Sequence, residues 1–179
     1  LGTGPAAAAM FASGTSGKGD RGADVVCFGG TKNGLMFGEA VVFAPRETGV
    51  AEGNAYPDTA RLRKTRLQLA SKMRFIAAQF EEYMSGDLWR ECAKLANDSA
   101  ARLAAGLEQR GITPVYPVQT NGVFLRLSSP VVEQMRQKRF FYDWEGGAVR
   151  WMASWDTSDD DVEGLLSCLL YTSPSPRDR

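Results

Sequence analysis

The sequence predicts an α/β fold that continues into a smaller α+β segment. Two observations carry this prediction. Short apolar runs typical of strands flank a glycine-rich turn at residues 28–34, and two longer stretches with a helical apolar period follow them. Shorter strand and helix candidates then alternate as far as residue 169. The length of 179 residues suffices for one domain with a sizeable core, or for one domain and part of another.

The two strand-like runs are residues 23–27 and 39–43. Both are nearly continuous in apolar residues, which is typical of strands that are covered on both faces in a parallel or mixed sheet. Cys27 ends the first run, and a thiol in such a strand is expected to pack in the core.

The turn between them reads Phe-Gly-Gly-Thr-Lys-Asn-Gly, with Lys32 between a glycine pair and an Asn-Gly turn. Crowding is low there, and a partly desolvated amine at a strand end can act as a nucleophile. Spacing alone favours the simpler alternative, a surface lysine in a flexible turn.

Residues 58–84 have a helical period, with apolar positions that include Leu69, Met73, Phe80 and Met84. The basic residues of this stretch are interpreted as a solvated helix face rather than a nucleic-acid site. A second helix is predicted over residues 87–109, closed by a glycine. Its predicted core positions are Leu88, Cys92, Leu95, Ala96, Ala100 and Leu103.

The remaining sequence predicts four short strands and two helices. The strand candidates are residues 112–118, 122–127, 140–143 and 148–153, and a helix is expected over 130–138. Ser158 and the acids up to Asp161 are interpreted as the capped start of the last helix rather than a metal site. The residues from 170 on lose any apolar period and are interpreted as a non-native tail.

Composition excludes several classes of function. The chain has 21 basic and 21 acidic residues, so no overall field favours nucleic acid or an anionic membrane, and it has no run of membrane-spanning length. The absence of histidine excludes Ser-His-Asp and Cys-His catalysis and the usual zinc sites within this chain. Three cysteines without metal-ligand spacing suit a reducing cytoplasm.

Four segments, in order, resemble one enzyme family. Residues 24–43, which contain the Lys32 turn, resemble the cofactor-lysine segment of the low-specificity L-threonine aldolases, which are pyridoxal-phosphate (PLP) enzymes of fold type I. Residues 69–75 (Leu-Ala-Ser-Lys-Met-Arg-Phe), 121–125 (Asn-Gly-Val-Phe-Leu) and 149–157 (Val-Arg-Trp-Met-Ala-Ser-Trp-Asp-Thr) resemble later segments of that family.

The resemblance implies a role for four residues. Lys32 would hold PLP through a Schiff base, and the hydroxyl of Thr31 would contribute to phosphate binding. Arg74 would reach the phosphate, in the family across a subunit boundary, and Arg150 would bind the α-carboxylate of the substrate. A guanidinium suits both tasks because it offers several fixed donors and stays charged.

The resemblance also implies a reaction and an organisation. The reaction is cleavage of L-threonine or L-allo-threonine to glycine and an aldehyde, by a cytoplasmic homodimer or homotetramer. Residues 1–85 would complete the PLP-binding large domain, residues 86–169 would form the small C-terminal domain, and 170–179 would be the tail.

The same resemblance predicts that this chain is a fragment. The family's stacking histidine, pyridinium-binding aspartate and phosphate loop lie upstream of its cofactor lysine, and the β-hydroxyl base is assigned there too. Two alternatives stay open: another fold type I PLP lyase or aminotransferase, or a fragment that is inactive without the rest of its site.

Overall fold

The computed structural model describes residues 25–43 and 58–170. The chain divides into two compact units, Leu1–Trp89 and Arg90–Arg179, and each is described by itself. Most of the predicted tail, residues 171–179, lies outside the described residues. Residue 170 still belongs to the last helix.

The first unit contains a two-stranded antiparallel ribbon. Strand β1 (Val25–Gly29) pairs with strand β2 (Glu39–Phe43), and Gly29 lies opposite Glu39. Both predicted strands are confirmed, and their antiparallel pairing excludes the parallel alternative of the prediction while it is compatible with the mixed one. A parallel pair needs a long crossover, whereas the connection here is a short turn.

The ribbon is covered on one face in the described part of the chain. On one face Val25 and Val41 are 43% and 55% exposed, and Cys27 is exposed, whereas Phe28 on the other face is buried. The predictions of strands covered on both faces and of a packed Cys27 thiol are therefore wrong. An apolar run does not reveal whether one or both faces are covered.

The predicted helix over residues 58–84 is two helices, α1 (Thr59–Thr65) and α2 (Arg74–Ser85). Helix α1 ends in a Schellman arrangement, because Gln68 N donates to Arg63 O at 2.8 Å. Leu67 takes the left-handed conformation there, with φ 56°, in a position where glycine is the usual residue. Lys72 is left-handed as well, so the chain changes direction again before α2.

The second unit packs helices on one face of a three-stranded antiparallel sheet. Helix α3 (Leu88–Glu108), which belongs to this unit from Arg90 on, leads through an irregular stretch to β3 (Gly122–Leu125), and helix α4 (Ser129–Arg136) precedes β4 (Tyr142–Trp144). Strand β5 (Ala148–Met152) lies between β3 and β4, and helix α5 (Asp159–Leu170) follows.

Three of the four predicted strands of this unit are confirmed, and the stretch 112–118 is not a strand. Pro114 and Pro117 lack the amide hydrogen that a ladder requires. In the described part of the chain, this stretch keeps one backbone hydrogen bond to β3, from Val115 N to Phe124 O at 2.7 Å.

The core of the second unit follows the alternation of β3 and β5. The inward side chains of the sheet pack against apolar residues of the flanking helices, including Leu103 and Leu107 of α3 and Leu166 of α5. The sheet contributes Val123, Leu125, Val149 and Trp151. On α3, the predicted core positions Cys92, Ala96, Ala100 and Leu103 are buried, but Leu88 and Leu95 are 44% and 52% exposed.

Helix α5 begins with a reciprocal cap. Asp161 N donates to Ser158 Oγ at 3.1 Å, while Ser158 N and Ser158 Oγ donate to Asp161 Oδ2 at 3.1 and 2.6 Å. The predicted capping role of Ser158 is confirmed. These two hydrogen bonds from Ser158, followed by the charge of Arg139, lower the pKa of Asp161 below its ordinary value.

None of the helices in the described residues combines the length and apolar character that crossing a bilayer requires.

The core of the second unit gives a first prediction. Leu107→Ala removes a fully buried side chain from α3 and should lower the free energy of unfolding by about 2–5 kcal/mol. Leu95→Ala changes the same residue type on the same helix at an exposed position, and its effect should stay within about 0.5 kcal/mol. Urea denaturation measures both; equal losses would contradict the described core.

The cap gives a second prediction, on pH dependence. Because folding lowers the pKa of Asp161, its contribution to stability is present above the unfolded pKa and is lost as pH falls through the folded value. The melting temperature of Asp161→Asn should therefore lie below that of the unmodified chain at neutral pH, and the gap should narrow in acid. The matched control is Asp160→Asn, next to the cap, which should show the smaller change with pH. A gap that widens in acid would contradict the assignment.

Candidate functional site

The Lys32 turn is a single 3-10 turn, Gly30–Asn33, that joins β1 to β2. Lys32 is exposed, so its amine projects from a point fixed by both strands. Gly34 follows with φ 110°, a conformation that favours glycine, and Leu35 N donates to Gly30 O at 3.1 Å. The turn predicted from its glycines is therefore confirmed, and hydrogen bonds order it.

Position 30 requires glycine because atoms of Leu35 and Gly38 lie close to its backbone. A Cβ at this position would lie 2.4 Å from Leu35 Cδ1 and 2.9 Å from the carbonyl oxygen of Gly38. The two ends of the loop therefore meet over Gly30, where even a methyl group would collide with backbone.

Thr31 closes the loop with both its backbone and its hydroxyl. Its backbone N donates to Gly38 O at 3.0 Å. Its hydroxyl accepts from Gly38 N at 2.9 Å and donates to Gly38 O at 3.3 Å. To donate to a phosphate, the Thr31 hydroxyl would have to break its hydrogen bond to Gly38 O. The hydrogen bond from Thr31 N to Gly38 O could remain.

Asn33 anchors the turn to helix α2. Its side chain is buried, contacts the hydroxyl of Tyr83 by a hydrogen bond and donates to Trp89 O at 3.0 Å. Tyr83 in turn donates its hydroxyl to Asn33 O at 2.7 Å. The residue that follows Lys32 is thus held by both its side chain and its backbone.

Aromatic packing supports the same anchor. The ring of Phe28 lies in edge contact with Phe80 and Tyr83, at centroid distances of 6.2 and 6.0 Å. Both rings belong to α2, so this helix fixes the strand before Lys32 as well as the residue after it.

Arg74 is the first residue of α2 and is exposed. Its Cζ lies 4.6 Å from the ring centroid of Phe75, which is 59% exposed. The N-cap residue, Met73, makes no side-chain capping bond. A cation at an uncapped helix N-terminus adds its charge to the positive end of the helix dipole, which produces a local preference for anions.

Arg150 lies on β5, the central strand of the sheet in the second unit. Its side chain is half-buried, and its Cζ lies 5.2 Å from the ring centroid of Tyr142 and 5.1 Å from that of Trp144. Its Nε is buried and has no hydrogen-bond partner among the described residues. A buried guanidinium N–H without an acceptor can donate to a ligand.

The residues that follow Arg150 in its motif form a tight turn. Ser154 N donates to Thr157 Oγ1 at 2.8 Å, and Thr157 N donates to Ser154 O at 3.1 Å. Thr157 O accepts from the buried Ser99 Oγ at 3.1 Å. Ser154 and Thr157 therefore stabilise the turn that follows β5, whereas Arg150 lies within the strand.

The four residues implied by the family resemblance fall in both units. Lys32 and Thr31 share the turn between β1 and β2, and Arg74 begins a helix of the same unit. Arg150 belongs to the second unit, which is described separately.

A cavity of about 220 Å³ in the second unit is distinct from the predicted site. It lies beside Trp151 and helix α5, and its lining includes Arg139 and Asp161 but not Arg150.

Sequence reasoning missed the residues that hold these side chains. Asn33 was noted only as part of a turn, and Tyr83 was not among the predicted core positions of its helix. A tyrosine and an asparagine that are far apart in sequence show no local pattern. Tyr142 and Trp144 did have a detectable signal, because their spacing of two places both rings on one face of an extended segment, although the predicted strand 140–143 ended one residue before Trp144.

Comparisons with known proteins give one consistent result. The chain is 44% identical, over 148 residues and 80% of its length, to a low specificity L-threonine aldolase of Pseudomonas aeruginosa. It is 41% identical over 149 residues to an enzyme of the same name from another Pseudomonas strain. It spans about 40% of the length of these curated relatives. No family model matches.

Structural comparison agrees. The chain is similar to a threonine aldolase of Leishmania major, with a TM-score of 0.68, 27% identity, and coverage of 86% of this chain and 44% of that one. The predicted resemblance to the low-specificity L-threonine aldolases is confirmed, and so is the α/β fold class of part of a fold type I enzyme.

The Asn33 anchor gives a third prediction. Tyr83→Phe keeps the ring and removes the hydroxyl that bonds to Asn33, so it should lower the free energy of unfolding by about 1–3 kcal/mol. It should also speed hydrogen exchange at the amides of Thr31, Leu35 and Gly38, which close the turn. Tyr116→Phe makes the same change at a half-exposed ring of the second unit and should leave that exchange unaltered. Unaltered exchange in both variants would contradict the anchor.

Proposed function

We propose that this chain is part of a PLP-dependent carbon–carbon lyase that cleaves L-threonine or L-allo-threonine to glycine and an aldehyde. The observation that carries the proposal is the exposed Lys32 amine on a turn closed by Thr31 and Gly38 and anchored by Asn33. The similarity to enzymes named low specificity L-threonine aldolase over four fifths of the chain supports it.

The residues of the first unit fit attachment of PLP. An amine that carries a cofactor must be accessible and its backbone must stay in place, and the Lys32 turn meets both requirements. We propose that Lys32 holds the cofactor covalently. When bound, PLP withdraws electrons from the Cα of an attached amino acid, which is what breaking the Cα–Cβ bond requires.

The phosphate needs positive charge and hydrogen-bond donors. Arg74 contributes a guanidinium at the uncapped N-terminus of α2, where the helix dipole has the same sign. We propose that Arg74 binds the phosphate, across a subunit boundary as in the family, and that Thr31 contributes once its hydroxyl turns away from Gly38. This arrangement requires a homodimer or homotetramer.

The substrate needs its carboxylate fixed. The guanidinium of Arg150 has an unpartnered Nε in the described part of the chain and can offer two parallel N–H groups to a carboxylate. We propose that Arg150 binds the α-carboxylate and thereby holds the Cα–Cβ bond in the orientation that cleavage needs.

The two units receive separate roles in this proposal. Residues 1–85 complete the PLP-binding large domain and residues 86–169 form the small C-terminal domain, with 170–179 as a non-native tail. We place the enzyme in the cytoplasm, where free thiols such as that of the exposed Cys27 stay reduced.

The proposal predicts two measurable properties of the full-length protein. Incubated with PLP, it should show the visible absorbance of a lysine-bound cofactor, and incubated with L-threonine it should release equal amounts of glycine and acetaldehyde. Lys32→Ala should abolish the absorbance. It should also reduce turnover by several orders of magnitude, since the residue that carries the cofactor is lost.

The control is Lys72→Ala, which removes an exposed lysine of the same unit and should keep the absorbance. If Lys32→Ala keeps the absorbance, the assignment of Lys32 is wrong. Ammonia release or transamination in place of glycine formation would identify another fold type I enzyme. The same assay on this chain alone tests whether the part is active without the rest.

A further inference from the structure

The outer face of the sheet in the second unit places aromatic rings around Arg150. In the register, Arg150 lies opposite Phe124 of β3 and opposite Tyr142 of β4, so these three side chains share one face. Trp144 lies two residues after Tyr142 and belongs to the same face. The guanidinium is therefore flanked by aromatic residues from both neighbouring strands.

Further aromatic rings contact the two rings that lie beside the guanidinium. Besides the two rings about 5 Å from Arg150 Cζ, the ring of Trp144 lies 5.1 Å from that of Phe124, and Phe124 lies 5.5 Å from Tyr116. On the other side, Tyr142 lies 4.9 Å from Phe140. We call Tyr142 and Trp144 the ring pair.

The ring pair holds the cation without neutralising it. A ring face attracts a guanidinium through its quadrupole, but it takes up none of the in-plane N–H groups. Within the described ranges no carboxylate pairs with Arg150, and its Nε has no acceptor. A carboxylate neighbour would have fixed the guanidinium equally well, but it would have competed with a ligand for the same donors.

We propose that Tyr142 and Trp144 are positioning residues that orient the Arg150 guanidinium for a ligand carboxylate. The inference rests on the proposed role of Arg150 as the carboxylate-binding residue. It adds that the ring pair, rather than a charged neighbour, sets the direction of the donors. Through Arg150 the pair contributes to the preference for ligands that carry a free α-carboxylate.

The test compares two ligands that differ at the carboxylate. The affinities of the PLP-loaded full-length protein for glycine and for glycinamide are measured by calorimetry, which does not depend on turnover. Trp144→Leu and Tyr142→Leu should each weaken glycine binding about 3–30-fold, the range that cation–π contacts span. Glycinamide binding should change less than twofold, since it lacks the carboxylate.

Conservative variants separate positioning from general damage. Trp144→Phe and Tyr142→Phe keep a ring face and should keep glycine affinity within about threefold of the unmodified protein. Phe140→Leu removes a ring that contacts Tyr142 but is 82% exposed, and should leave both affinities unchanged. Loss of both affinities in equal measure in the leucine variants, or no loss at all, would overturn the proposal.

The variant Arg150→Gln distinguishes failure of the positioning role of the ring pair from failure of the proposed role of Arg150. If this variant loses glycine affinity and keeps glycinamide affinity, Arg150 binds the carboxylate, and the leucine variants then decide the role of the ring pair alone. If Arg150→Gln does not discriminate between the two ligands, the proposed role of Arg150 fails, and the positioning role fails with it.

Discussion

The placement of Lys32 depends on the hydrogen bonds between Asn33 and Tyr83. They join the residue after Lys32 to a helix that lies far from it in the sequence, and Tyr83 is 1% exposed. A two-stranded ribbon is marginal by itself in water. The placement of Lys32 is therefore set by α2 as much as by the two strands that flank it.

The second unit fixes its arginine by a different physical means. Buried apolar side chains on the inner face of the sheet determine the register, and the register determines which side chains surround Arg150 on the outer face. A slip of one residue in β5 would turn Arg150 into the core. The core and the proposed carboxylate site thus depend on the same strand pairing.

The sequence predicted those parts of the fold that local pattern determines. Helix α3 and strands β2 and β5 were expected close to their observed bounds, because periodicity and turn residues mark them. Leu67 and Lys72 were not expected to interrupt a helix, since neither residue type favours the left-handed conformation they adopt. The exposure of Val41 could not be predicted either, because it depends on which elements cover the strand. For the site, family resemblance leads to the proposal of Lys32 and Arg150, whereas Asn33, whose partners are distant in sequence, showed no such signal.

A guanidinium held by rings has no counterion of its own. No carboxylate in the described part of the chain pairs with Arg150, so dissolved anions can occupy its N–H groups. Ionic strength then becomes a competitor of any carboxylate ligand. Carboxylate binding at Arg150 would then respond to salt, although the equal numbers of acidic and basic residues give no such indication.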